Sequence, residues 1–136
     1  MSIITELIKS IVSTWGDGDI DYPLYFNHAP QGTAYPLVVF NVVDSPRNFA
    51  MKTGNGNIHT YSNIRVQFTV FANENQMSEA MLASSAIEDL YKFQNKELAN
   101  GVTQIWAQPA NTRIQFYDMG EKVWQVITDM IFKVGN

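Results

Sequence analysis

Residues 61–72, YSNIRVQFTVFA, decide the fold class. Ile64, Val66, Phe68, Val70 and Ala72 fall on one parity, and Arg65, Gln67 and Thr69 on the other, with Phe71 the exception. Side chains alternate between the two faces of an extended strand, so this two-residue repeat predicts a strand with one face on a core. The flanking sequence supplies the cover such a face needs. Downstream, Asn73 is placed to cap a helix, with Gln76 reaching back from three residues on. Met77, Ala80, Met81, Ser84, Ile87, Leu90 and Tyr91 then line one side of a helix running to about Phe93, with Glu79, Glu88 and Asp89 facing solvent. Upstream, residues 36–44, PLVVFNVVD, form an apolar run rich in β-branched residues, which predicts a strand covered on both faces.

Further out, Ile3, Ile4, Leu7, Ile8, Ile11, Val12 and Trp15 make an apolar stripe at helical period, with Thr5, Glu6, Lys9, Ser10 and Ser13 on the other side. Gly16 and Gly18 predict its end. Residues 16–35 read as loop, with a short extended piece at Leu24–Asn27. Residues 112–118 and 122–134 predict a hairpin around Met119-Gly120, and in its second strand Trp124, Val126, Met130, Phe132 and Val134 share a parity. Residues 102–107 suit pairing at a strand edge, bounded by Pro109. The predicted fold class is α+β: a four-stranded, largely antiparallel sheet with two helices packed on one face, in the order α-β-β-α-β-β. It occupies one domain, residues 1–136.

The chain of 136 residues carries 9 Lys+Arg against 13 Asp+Glu, a net charge of −4, which disfavours nucleic-acid binding. It has no cysteine, which excludes disulfides, thiolate metal sites and a cysteine nucleophile. Charged residues make up 16%, below the roughly 25% of an average domain, and twelve Asn and eight Gln carry much of the polarity. Amides cost less to desolvate than ions, so such a surface is easier to bury against partner chains. The opening MSIITELIKSIVSTW has no basic region or small-residue cleavage site, and no apolar run approaches the ~18–20 residues of a membrane span. Cytoplasmic synthesis and use, without membrane contact, are expected.

Chemistry-bearing motifs are scarce. Asp17, Asp19 and Asp21 resemble the start of a calcium loop, but the sixth and twelfth positions hold Tyr22 and His28 where Gly and Glu are required. His28 and His59 lack ligand partners at helical spacing. No phosphate loop, dinucleotide fingerprint or hydrolase elbow occurs, and the adjacent Glu88 and Asp89 diverge on a helix. No enzymatic activity, catalytic residue, metal or cofactor is expected. The feature that stands out is a long hairpin arm, about residues 45–60. It carries apolar, basic and amide side chains with no evident core to enter: Arg47, Asn48, Phe49, Met51, Lys52, Asn55 and Asn57. These are the candidate partner contacts. Either the arm docks on a neighbouring chain, or Phe49 folds back onto its own sheet.

Two segments carry a resemblance. Residues 24–40, LYFNHAPQGTAYPLVVF, lead into a strand through Ala29-Pro30-Gln31-Gly32 and Pro36; residues 63–72 run directly into a helix ending with 86–91, AIEDLY. The layout resembles the tail-terminator or tail-completion (tail-to-head joining) proteins of long-tailed phages and prophages. That resemblance implies a structural virion assembly protein without catalysis. It would form a ring, typically hexameric, that caps the head-proximal end of the tail tube, stops tube growth and offers a head-joining surface. The implied partners are copies of the chain, the tail tube protein and head–tail connector proteins, with DNA passing through the lumen unbound. The implied location is the host cytoplasm during assembly, then the tail or neck of the virion. Two alternatives stand beside it: a head–tail connector or stopper of the same neck, and an unrelated cytoplasmic ligand-binding α+β domain.

Overall fold

The computed structural model describes residues 3–18, 20–43, 47–52, 58–92, 95–98, 103–110 and 113–135. The elements are α1 (Ile3–Asp17), β1 (Leu24–Phe26), β2 (Leu37–Val42), β3 (Arg47–Lys52), β4 (Ile58–Asn73), α2 (Met77–Tyr91), β5 (Lys96–Glu97), β6 (Thr103–Pro109), β7 (Ile114–Asp118) and β8 (Val123–Gly135). The predicted four-stranded sheet in the order α-β-β-α-β-β is corrected: eight strands form one mixed sheet. Its main path runs β1-β2-β4-β8-β6-β5, with β3 added to β4 and β7 to β8. The β1–β2 pair is parallel and all the others are antiparallel.

Two long strands make the spine. Residues 61–73 of β4 pair with residues 135–123 of β8 without a register break. Each spine strand then carries two shorter strands in tandem on its outer edge. On β4, β2 covers residues 66–71 and β3 covers 58–63, which leaves Ile64 and Arg65 between the two pairings. On β8, β6 covers residues 130–135 and β7 covers 123–127, which leaves Thr128 and Asp129 between the two pairings. The two breaks are stitched alike. Val43 N–H donates to the Arg65 carbonyl at 3.0 Å, and Ala110 N–H to the Asp129 carbonyl at 2.8 Å. The side chains of the same two residues then join across the spine, Arg65 donating to Asp129 Oδ2 through Nε at 3.1 Å and through Nη2.

The predicted inward parity holds. Ile64, Val66, Phe68, Val70 and Ala72 are fully buried, as are Val126, Met130, Phe132 and Val134. With Val38 and Phe40 of β2 they meet Leu7, Ile11 and Trp15 of α1 and Ala80, Ala83, Ile87 and Tyr91 of α2. Aromatic rings cross this core in sequence: Phe26 to Phe40 at 5.1 Å, Phe40 to Phe68 at 5.9 Å, Phe68 to Tyr91 at 5.2 Å and Tyr91 to Phe132 at 5.8 Å. The reach-back at the start of α2 is present, Asn73 N–H donating to Gln76 Oε1 at 3.0 Å. The helix nevertheless begins at Met77 behind Gln76, with no side-chain cap. In α1 the expected solvent side is partly buried: Glu6 and Ser10 lie inside, as does Thr14, while Val12 of the apolar stripe is 51% exposed. A helix touching both α2 and β8 is enclosed on more than one side, which a single apolar stripe does not describe.

Tyr91 ties the layers together. Its hydroxyl donates to the Ile11 carbonyl at 2.8 Å, and burial pushes its pKa well above the ordinary 10. The folded phenol therefore keeps its proton where the unfolded one loses it. Stability should be flat below pH about 10 and fall as pH rises beyond it. Urea melts between pH about 7 and 11 check this. Tyr91→Phe should show a shallower alkaline fall, and at neutral pH should lose about 1 kcal/mol with the hydrogen bond.

Candidate interaction surface

The sheet face turned away from the helices carries the other parity. Leu37 and Val39 of β2, Thr69 and Phe71 of β4, and Ile127 and Ile131 of β8 lie on it, the first three buried and the others half-buried. Over β2 this face is walled by residues 27–35, the crossover between the parallel strands β1 and β2. The wall is fixed by a turn at Pro30–Thr33, in which Thr33 N–H donates to the Pro30 carbonyl at 3.2 Å. Gly32 sits at the third position with φ +85°, where a type II turn requires the left-handed region and a side chain is strained. The Ala-Pro-Gln-Gly segment read as an approach to a strand is thus the wall of a hollow. That hollow measures about 460 Å³, with Leu37, Val39 and Phe71 as floor and Asn27, Gln31 and Asn41 among its polar groups.

At the opposite edge the β7–β8 hairpin presents Ile114, Phe116 and Met119, 55%, 44% and 82% exposed. Next to its turn the hairpin is clamped to the connection between β4 and α2. The Tyr117 hydroxyl donates to Glu74 Oε2 at 3.0 Å, Trp124 Nε1 donates to the Glu74 carbonyl at 3.1 Å, and the Tyr117 and Trp124 rings lie 5.0 Å apart. Desolvation, the Glu74 hydrogen bond and the charges of Glu74 and Asp118 hold the Tyr117 phenol above its ordinary pKa, so it stays a donor at neutral pH. Behind the hairpin, Arg113 donates to Ser85 Oγ at 3.1 Å and to Glu88 Oε1 at 3.3 Å. Glu88 is therefore an ion-pair partner rather than a purely solvated carboxylate.

The sequence-predicted contact residues fall in the arm. Arg47, Asn48, Phe49, Met51 and Lys52 are all in β3, which is strand where a loop was expected, and its partner β4 starts at Ile58. By register Arg47, Phe49 and Met51 stand opposite Asn63, Tyr61 and His59, positions that share the Arg65 face. Asn48 and Lys52 stand opposite Ser62 and Ile58, on the other parity. Asn55 and Asn57 lie outside the described residues, as does Asp19 of the Asp-Gly run. Sequence reasoning missed the hollow and the exposed tip of the hairpin. A signal for the tip existed, because Ile114 and Phe116 take the parity that pairs with Ile127 and Gln125, away from the core.

Among the described residues no group of three or more His, Asp or Glu is placed to hold a metal ion. No helix there is long and apolar enough to cross a membrane. No family model matches the chain, and no curated protein matches it in sequence. Among solved structures, the chain is similar to one from the virion of a native gene transfer agent particle, with a TM-score of 0.73 at 8% identity. The likeness covers 99% of this chain and 98% of that one, so the eight-stranded sheet with its two helices is a fold found in that virion.

Proposed function

We propose that this chain is a structural subunit of a phage-like virion, which closes into a ring on the head-proximal end of a tail tube, ends tube growth and offers the surface that the head joins. The observation that carries this reading is the whole-length fold likeness to a chain of a gene transfer agent virion. The layout of residues 24–40 and 63–91, which resembles the tail-completion proteins, supports the same role. Physically, a terminator must bind the last tube layer without presenting a new polymerising surface, and a contact repeated about a closing rotation gives a ring rather than a filament. An exposed hairpin tip at one edge of the sheet, and a second hairpin on the other edge, supply contacts of that kind. A net charge of −4 also suits a passage that DNA must slide through without sticking.

The test is electron microscopy and native mass measurement of the purified protein, alone and mixed with tail tubes. The expected result is a ring-sized mass and density at one end only of each tube, with tube growth arrested. Binding to connector proteins with no affinity for tubes would move the chain to the head side of the neck. Catalytic turnover by an isolated subunit that joins neither would overturn the reading.

A further inference from the structure

The β7–β8 hairpin holds an apolar side chain out in water on a turn that is anything but loose. Asp118 Oδ1 accepts from Gly120 N–H at 3.0 Å and from Glu121 N–H at 3.1 Å, which fixes the turn around Met119. Below it, the Tyr117 and Trp124 side chains hold Glu74, in the turn between β4 and α2. Bracing of this kind serves no core, since Met119 is 82% exposed. It does lower the ordering cost of seating the tip in a partner, and a methionine adapts to an irregular hollow.

A fitting hollow exists on the same chain. The one under residues 27–35 has an apolar floor, amides at its edge, and about 460 Å³ of space. The acidic groups of the tip, Asp118 and Glu121, meet no like charge there, because the lining contains no carboxylate and includes His28. Tip and hollow also lie at the same level of the sheet. Leu37 pairs with Phe71, and two residues on Asn73 pairs with Val123 beside the turn. They sit on opposite edges, however, with β4 and β8 between them, so roughly 10–15 Å of sheet separates them at about 4.8 Å per strand. One copy cannot close that gap, whereas two copies standing edge to edge can.

We infer that the Met119-Gly120 tip of one copy seats in the hollow beneath residues 27–35 of the next, an inference that rests on the ring-forming role proposed above. Each copy then gives one knob and offers one hollow, a heterologous contact that propagates around a ring.

The cysteine-free chain makes a clean test by oxidative crosslinking. An equal mixture of Met119→Cys and Gln31→Cys proteins should give a covalent dimer that neither variant gives alone. The double variant should give a ladder of multimers ending at the native assembly mass. Met119→Asp, with unchanged circular dichroism and melting, should weaken self-assembly more than about tenfold, the loss expected from one methionine failing to bury. Assembly at the parental mass without mixed crosslinks, or Met119→Asp assembling as the parent does, overturns this contact and leaves the ring standing. A parent chain that stays monomeric both in solution and on tube ends overturns both.

Discussion

Phe68→Ala is expected to cost about 3–5 kcal/mol of folding stability, the upper range for a large-to-small change in a core. For a domain of this size that lowers the melting temperature by roughly 10–20 °C, with a matching fall in soluble yield. The reason lies in what surrounds the ring. Phe68 is fully buried between Phe40 and Tyr91, and its register partners are Phe40 on β2 and Thr128 on β8. None of these neighbours is free to collapse into the space. Tyr91 is held by its bond to Ile11, and Thr128 by a hydroxyl pair with Ser84 across to α2. A cavity whose walls are pinned keeps its full penalty. Phe71→Ala, three residues on and on the other face, removes a ring of similar size from a half-buried position. It should cost less than about half as much, as thermal or urea melts of both variants would show. Equal losses, or no loss at Phe68, would mean that the inward parity of β4 is misassigned.

That parity was legible because the repeat in residues 61–72 is local, and each alternate position independently reports the same buried face. The helices were legible for the same reason, although α1 hid a buried Glu6, Ser10 and Thr14 stripe because packing on two sides cannot be seen in one period. What stayed hidden was the number of strands. The predicted layout counts one strand before β4 and one before β8, with residues 102–107 only suited to a strand edge, whereas each edge of the spine carries two in tandem, β2 with β3 and β6 with β7. Tandem pairing is defined by what each short strand faces, and nothing in its own residues announces the partner. β3 was further masked by composition. Its amide and glycine-rich surroundings read as loop, and only the alternation of Phe49 and Met51 hinted at a strand. The hollow was illegible for a related reason, since it exists only where the turn at Pro30–Thr33 lies over β2 and β4. The Arg65–Asp129 pair was hidden in the same way, since these two residues become neighbours only once β4 and β8 are in register.

Excising the arm is the change expected to act most strongly on function while sparing the fold. Arg47 and Asn63 are register partners, so removing residues 48–62 and joining these two through an Asn-Gly turn replaces the hairpin with a short one of favoured geometry. The fold should survive. The described core begins on β4 at Ile64, the β2 pairing at residues 66–71 is untouched, and β8 still pairs from Asn63 to Asn73. A loss of no more than about 2 kcal/mol is expected for a change outside the core. Docking should fail in contrast, because the variant lacks residues 48–52 of β3 and the strand edge they form. In assembly reactions the shortened protein should cap tubes at least about tenfold less well, the effect of about 1.4 kcal/mol of lost contact. Tubes should then run past their normal length, and joined particles should fall in proportion. A paired variant, Phe49→Ser with Met51→Ser, narrows the cause. These positions share the register face of Arg65, so if that face makes the contact, the pair should reproduce most of the loss, while Asn48→Ala on the other parity should not. Normal tube length and normal joining by the excised protein would remove the arm from the interface and leave the edge contact through Met119 as the surface to pursue.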